Sequence, residues 1–461
     1  MEFKDKKTLV LGAGKSGIAA ARFLAERGAL VLLSDSKDIG QWSNAARSLK
    51  ILENVEMVSG QLSAALNSEI DLIVISPGVP ATSIPAAFRE NEAIEIIGEV
   101  ELACRFLNGK IVGITGSNGK TTTTALVGEI LKNAGFHTQV GGNIGTPLVT
   151  LVDTSTDDTY TVVELSSYQL ETIKEFRPQV AVCLNVTPNH LDRYDSFADY
   201  AEAKKRLFMK QTASDTAILN ADDEVTAGWA ADLRANVRLF SVKRELEDGF
   251  FLRGEELIRR ENGEETVLTT RGEIFLRGLH NVENVLAAFA VGNACSASPD
   301  SIRRSVSEFK GVEHRIEFVA EIDGVKFYND SKATSVDATA KALEAVASEG
   351  KTVLILGGRG KNAPYSPLVE LIKTSVRSLV LIGEDADNIE SQLGPHAEII
   401  RADSLEKAVG EAFSAAEKGD TILLAPACAS FDMFKSYEER GEVFKTAVKE
   451  LFPSKSSSGT I

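Results

Sequence analysis

Residues Ile114 to Thr124 read "ITGSNGKTTTT", and the reading of this stretch decides what kind of chain this is. It approaches the phosphate-loop pattern G-x-x-x-x-G-K-[ST], except that the first glycine position holds Ile114. A polar turn capping a helix would use the same residue types, so the setting has to decide. The apolar run "GKIVGITG" (109–116) precedes the loop as a strand, and "TTTTALVGEILKNAG" (121–135) follows as a helix that Gly135 closes. In that setting Gly116 and Gly119 let backbone N–H groups turn inward, toward the positive end of the helix. Lys120 reaches the terminal phosphates and the Thr121 hydroxyl meets Mg²⁺. The loop is a short phosphate cradle, and the central fold is a P-loop-like α/β domain.

Strand–helix alternation extends in both directions. Upstream, "TLVLGAG" (8–14), "ALVLLSD" (29–35) and "IDLIVISPGVP" (70–80) read as strands, with a helix over 16–27. Downstream, strands are expected at "YTVVEL" (160–165), "QVAVCLNV" (179–186) and "DTAILNADD" (215–223). A charged hairpin excursion is expected over 244–278 and a helix over 280–295. A last unit has strands at "VKFYND" (325–330), "KTVLILGG" (351–358), "SLVLIGE" (378–384) and "DTILLAPA" (420–427). The expected organisation is three α/β domains: a Rossmann-like one over 1–98, the central one over 99–311, and a second Rossmann-like one over 312–461. A length of 461 residues fits that number at roughly 150 per domain.

Bulk chemistry narrows the function. Lys and Arg total 50 against 66 Asp and Glu, a net charge of −16 with no basic stripe. Nucleic acid is therefore not the expected partner, and a polyanionic ligand must be held by helix N-termini, single cations and metal ions. The four cysteines are scattered without a C-x-x-C, which suits reduced thiols in a cytoplasmic protein. No run reaches the roughly 18 apolar residues of a membrane helix, so no membrane insertion is expected.

Several strand ends carry chemistry. Glu164 ends a strand where a carboxylate can meet a metal, and His190 and Asp192 follow another. Each alone reads as an ordinary surface or loop residue; their shared location favours a joint site. At the N-terminus "GAGKSG" (12–17) followed by Asp35 admits an NAD(P)-dependent dehydrogenase, although a lone G-x-G-x-x-G is a weak signal. A non-catalytic nucleotide switch is a further alternative, against which the departure at Ile114 argues.

Taken together, "TGSNGKTTT", "ELSSYQLE", "NHLDRYDSFADYAEAK", "HNVENVLAA", "HRIE", "YNDSKATS", "GGRGK" and "PACASFDMFKSYEERG" stand in the order found in the Mur ligases of peptidoglycan synthesis. The chain resembles that family along essentially its whole length. The segments "ELSSYQLE" and "ACASFDMF" resemble the branch that adds D-glutamate to UDP-N-acetylmuramoyl-L-alanine. Another Mur ligase, or an amide ligase like folylpolyglutamate synthetase, is the alternative.

The resemblance implies ATP-dependent amide formation through an acyl phosphate, with two Mg²⁺ ions, by a cytoplasmic enzyme expected to be a monomer. By the same resemblance, Gly116, Ser117, Asn118, Gly119, Lys120, Thr121, Thr122, Asn284, Arg315 and Asp330 bind ATP. Thr121, Glu164, His190 and a carbamylated Lys204 hold the metal, while Lys120, Glu164, His190, Lys204 and Lys332 serve catalysis. Lys205 is expected to point away into solvent. The UDP-sugar falls to Gly14, Ser16, Asp35, Ser36, Lys37, Gly78 and Asn143, and D-glutamate to Thr334, Lys361, Ser430 and Tyr437. Two positions depart from the family pattern: Asn362 follows Lys361 where glycine is usual, and Tyr437 stands where Phe is common.

Overall fold

Three sheets organise the described residues. The computed structural model describes residues 3–60, 70–80, 83–188, 194–276, 278–346, 350–360 and 363–452. Residues 1–309 form one compact unit and 310–461 a second.

The first unit opens with β1 (Lys7–Leu11), β2 (Leu30–Asp35), β3 (Val55–Ser59), β4 (Leu72–Ile75) and β5 (Glu95–Gly98), all parallel, in the order β3-β2-β1-β4-β5. Apolar runs such as β4 "LIVI" are buried at every position, as a sheet covered on both faces requires. The strand order reverses between β1 and β4, so the loops that follow them diverge and leave a crevice at their carboxyl ends.

The same unit continues with β6 (Lys110–Thr115), β7 (Thr138–Gly142), β8 (Tyr160–Glu164), β9 (Val180–Cys183), β10 (Thr216–Asn220), β11 (Asn236–Ser241), β12 (Gly249–Arg253), β13 (Glu256–Glu261) and β14 (Glu264–Thr270). Their order is β14-β13-β12-β11-β10-β9-β6-β8-β7, parallel from β7 through β12 and antiparallel over β12–β14. The excursion expected over 244–278 is thus an extension of the central sheet. At its outer end Arg253 pairs with Glu245 (2.7 Å) and Glu265 (2.9 Å), and Arg260 pairs with the same two carboxylates. Behind the sheet, the helices Lys120–Asn133 and Leu279–Ala294 pack together, the second buried on most of its surface.

The short helix Glu99–Cys104 joins the two sheets. Its Glu101 is fully buried and accepts the backbone N–H groups of Lys174, Glu175 and Phe176 at 2.8–3.1 Å, plus Arg105 Nε at 2.9 Å. A carboxylate removed from water needs such donors. They fasten the joining helix to the central sheet.

The second unit holds β15 (Glu317–Ile322), β16 (Val325–Asn329), β17 (Thr352–Gly357), β18 (Val376–Ile382), β19 (Glu398–Arg401) and β20 (Thr421–Leu424), in the order β15-β16-β20-β17-β18-β19. Only β15 runs antiparallel. The order reverses between β17 and β20, which places a second crevice where "GGRG" leaves β17 and "PACAS" leaves β20. All four cysteines are free thiols. Among the described residues no helix is long and apolar enough to cross a membrane.

Candidate active site

The loop after β6 is built around two glycines. Gly119 has φ +81, and a side chain there would run into Asn284 Oδ1 at 2.2 Å; one at Gly116 would press on Leu184. The loop is seated on the end of β9, where Ser117 N–H donates to Asn185 O (2.9 Å) and Asn118 N–H to Asn185 Oδ1 (2.8 Å). The Ser117 hydroxyl bonds the Thr187 backbone at 2.9 and 3.0 Å and lies 2.9 Å from Tyr200 Oη. Ser117 and Asn118 therefore fasten the loop. The helix beginning at Lys120 presents the first-turn amides that no helical carbonyl reaches, those of Thr121 and Thr122 among them. Asn284 accepts from the Thr123 hydroxyl (3.3 Å) beneath the loop.

Two lysines converge on one carbonyl. Lys120 Nζ donates to Gly116 O (2.7 Å) and Ser117 O (3.0 Å), and Lys204 Nζ donates to Gly116 O (2.9 Å). Lys204 is 1% exposed and lies 4.7 Å over the Tyr200 ring. Burial, and then the charge of Lys120, bring its pKa down to about 7. Its neighbour Lys205 turns away and pairs with Asp232 at 2.9 Å, as helical spacing requires.

Glu164 ends β8 alongside the loop strand, in register with Ile114. It is 2% exposed. Oε1 accepts from Asn143 Nδ2 at 2.7 Å, whereas Oε2 is buried without a hydrogen-bond partner among the described residues. A buried carboxylate oxygen in that state calls for a cation. With the buried Thr121 hydroxyl, the oxygen donors suit a hard ion such as Mg²⁺. Asn143 thus belongs to the surroundings of Glu164 at the central sheet. His190 lies outside the described residues.

The remaining UDP-sugar candidates gather at the crevice between β1 and β4. A side chain on Gly17 would overlap Gly12 O at 1.8 Å, so that glycine is needed for close helix packing. Gly14 and Gly78 instead face open space, leaving their backbone approachable. Asp35 accepts Ala13 N–H (2.8 Å) and Lys37 N–H (3.0 Å), tying the glycine turn to the end of β2. Ser16 sits in the first turn of the helix Lys15–Glu26, and Ser36 and Lys37 are exposed.

In the second unit, Asp330 follows β16, and burial raises its carboxyl to about 7 against the pull of Arg315, the Ile316 N–H and Lys332. Thr334 N–H closes a tight turn on Lys332 O (2.8 Å), and Lys332 Nζ lies 5.9 Å over the Tyr437 ring. Ser430 is buried just past β20, and Lys361 and Asn362 lie outside the described residues. The loops after β17 and β20 are stitched together by Arg359 N–H to Ala429 O (2.9 Å) and Ala429 N–H to Arg359 O (3.0 Å).

Four residues of the site carry no distinguishing mark in the sequence. Arg440 is 1% exposed, and its guanidinium donates to Ser331 Oγ and O and to Cys428 O at 2.9–3.2 Å. It joins three segments of the site, and burial draws its pKa down to about 10. His314, buried and bonded to Asn329 Nδ2 (3.0 Å), has φ +62, and the β-branched Ile316 has φ +43. Left-handed backbone at such residues is strained and clusters at functional sites. Asn185, which holds the phosphate loop, is the fourth. Arg440 and His314 stand inside "SYEERG" and "HRIE", but nothing in one sequence separates them from their neighbours.

Comparison with known proteins agrees with this geometry along the chain. Family models match as the N-terminal domain of MurD-like Mur ligases over residues 6–98, the Mur ligase middle domain over 114–292, and the Mur ligase glutamate ligase domain over 314–428. UDP-N-acetylmuramoylalanine--D-glutamate ligase of Koribacter versatilis is 47% identical over 98% of this chain and 99% of its own length. The enzyme of the same name from Acidobacterium capsulatum is 48% identical over 97% of both. Among solved structures, the MurF ligase of Thermotoga maritima in complex with ADP superposes with a TM-score of 0.57 at 17% identity, covering 97% of this chain and 96% of that one. UDP-N-acetylmuramate-alanine ligase MurC of the same organism gives 0.57 at 18% identity, covering 96% and 99%. With all three domain models matched in order and relatives nearly half identical from end to end, this chain belongs to the Mur ligase family.

Proposed function

We propose that this Mur ligase joins D-glutamate to UDP-N-acetylmuramoyl-L-alanine at the expense of ATP, in cytoplasmic peptidoglycan precursor synthesis. The observation that carries the reading is the buried Glu164 oxygen, without a partner among the described residues, beside a phosphate loop on which Lys120 and Lys204 converge. That arrangement suits a nucleotide phosphate with its cation. The full-length likeness to D-glutamate ligases supplies the substrates.

The terminal phosphates of ATP lie against the amides at the start of the helix Lys120–Asn133. Lys120 exchanges its contacts with Gly116 O and Ser117 O for the γ-phosphoryl oxygens and neutralises charge as it develops. Thr121, Glu164, His190 and Lys204 would hold Mg²⁺, which screens the repulsion between two anionic reactants. Lys204 joins that set as a carbamate: its neutral amine adds CO₂, loses a proton and gains an anionic oxygen in place of a repelled ammonium.

A carboxylate oxygen of the UDP-sugar substrate attacks the γ-phosphorus, the bond to ADP breaks, and an acyl phosphate results. The amine of D-glutamate then attacks the acyl carbon, phosphate leaves, and the amine gives up a proton. Asn284 contacts adenine, Arg315 the phosphates and Asp330 the ribose, while Lys332 attends the reacting groups. Thr334, Lys361, Ser430 and Tyr437 receive D-glutamate at the crevice between β17 and β20. Gly14, Ser16, Asp35, Ser36, Lys37 and Gly78 receive the uridine diphosphate at the crevice between β1 and β4, and Asn143 orients the substrate beside Glu164.

Phosphate release is measured with ATP, UDP-N-acetylmuramoyl-L-alanine and a panel of amino acids. Turnover with D-glutamate alone is expected. Preferred use of L-glutamate or a diamino acid would overturn the substrate assignment, and absence of any dependence on the UDP-sugar would overturn the ligase reading.

A further inference from the structure

Beneath the crevice between β17 and β20 lies a buried polar link. The Tyr365 hydroxyl lies 2.5 Å from Asp385 Oδ2 and 3.0 Å from Cys428 Sγ, with Tyr365 2% exposed and Cys428 fully buried. A phenol has one proton. A carboxylate can only accept, so that proton goes to Asp385, and the phenol oxygen accepts the thiol S–H. Burial raises the Cys428 pKa to about 11, which keeps the sulfur protonated for that role.

Each end of the link grips a different loop. Asp385 follows β18; its N–H donates to Gly358 O (3.0 Å), and its carboxylate fills the space above Gly360, where a side chain would meet Oδ2 at 2.3 Å. Cys428 follows β20, two residues before Ser430, and its carbonyl accepts from Arg440 at 3.2 Å. The glycine loop after β17 and the serine loop after β20 therefore have a common tie below them, besides the Arg359–Ala429 pair. The adjacent Ala427 has φ +58, a conformation that needs such support.

We propose that Tyr365 is a positioning residue for the amino-acid substrate, its hydroxyl setting the spacing of the two loops that bear Ser430 and Gly358–Gly360. The inference rests on assigning this crevice to D-glutamate. Tyr365 touches no substrate and acts through Cys428 and Asp385.

Tyr365→Phe keeps the ring and removes only the link. It should raise KM for D-glutamate about fivefold, equivalent to about 1 kcal/mol, with KM for ATP and kcat within about twofold. Cys428→Ala should do the same, and the double variant should match either single, because both cut one link. Additive effects, or KM values for ATP and D-glutamate rising together, would mark a merely structural residue and overturn the proposal, as would an unchanged KM for D-glutamate in both single variants. Should Tyr365→Phe fail to fold, Cys428→Ala decides by the same readout. Ser430→Ala in the same assay separates the levels. If it raises KM while Tyr365→Phe and Cys428→Ala do not, only the positioning role falls; if all three leave KM unchanged, the assignment of the crevice falls as well.

Discussion

Replacing Gly119 by alanine tests the phosphate loop with the least chemistry. At φ +81 any L-residue carries strain of about 1–2 kcal/mol. The new methyl also lands 2.2 Å from Asn284 Oδ1, so Asn284 must swing away from Thr123 (3.3 Å) and from Asn281 (3.1 Å). At about 1 kcal/mol for each of the two lost hydrogen bonds, the total comes to ~3–4 kcal/mol. Gly135→Ala is the control: φ is +88, but the methyl would meet nothing within 4 Å, so only the ~1–2 kcal/mol of strain applies. Urea denaturation of the two variants should differ by the collision alone, and calorimetric titration with ADP should show about tenfold weaker binding for Gly119→Ala only. Equal destabilisation of both variants, or unchanged ADP affinity in Gly119→Ala, would refute the placing of Asn284 against the loop.

Three further expectations follow from the site. Lys204→Ala should lower kcat more than about 100-fold while Lys205→Ala stays within about twofold, and ¹³C-bicarbonate should give wild type a carbamate resonance that Lys204→Ala lacks. Asp330, raised to about 7 in the native state, retains a proton that the unfolded chain releases near pH 4, so its contribution to stability falls as pH rises from 4 to 7. Urea unfolding at pH 5 and pH 8 should accordingly show a smaller difference for Asp330→Asn than for wild type. Lys361→Ala should raise KM for D-glutamate strongly and Ser430→Ala more weakly, a charge counting for more than a neutral donor, with KM for ATP little changed.

The strong strands were legible because apolar runs such as "LIVI" and "TVLILG" are buried on both faces and end in glycine or proline. Others were not. β7 reads "TQVGG", half polar with two glycines, and it forms because β8 supplies a partner along its length. β19, "EIIR", is a four-residue edge strand whose ends are charged. Propensity carries little weight in strands that short; their neighbours decide. At the site, the residue type at a strand end was legible, as with Glu164. Side-chain partnerships were not: that Asn143 turns to Glu164, or that the Ser117 and Asn118 amides go to Asn185, depends on loops whose course only the folded chain defines.

The charged pairs at the outer end of the central sheet bear on how the protein behaves in concentrated solution. β14 is a seven-residue border strand with no strand beyond it among the described residues; Arg303 Nε takes its Leu268 carbonyl (2.7 Å), and Val267 is 47% exposed. Such a border recruits other chains. Arg253 and Arg260 hold Glu245 below the usual carboxylate range and bring Glu265 down to about 2, so the guard stays ionised into acid. Its weakness is ionic strength, because exposed pairs are screened at high salt. Replacing Glu245 and Glu265 together by alanine should therefore make light scattering of the concentrated enzyme rise at salt concentrations the wild type tolerates, through β14 joining its counterpart on another molecule.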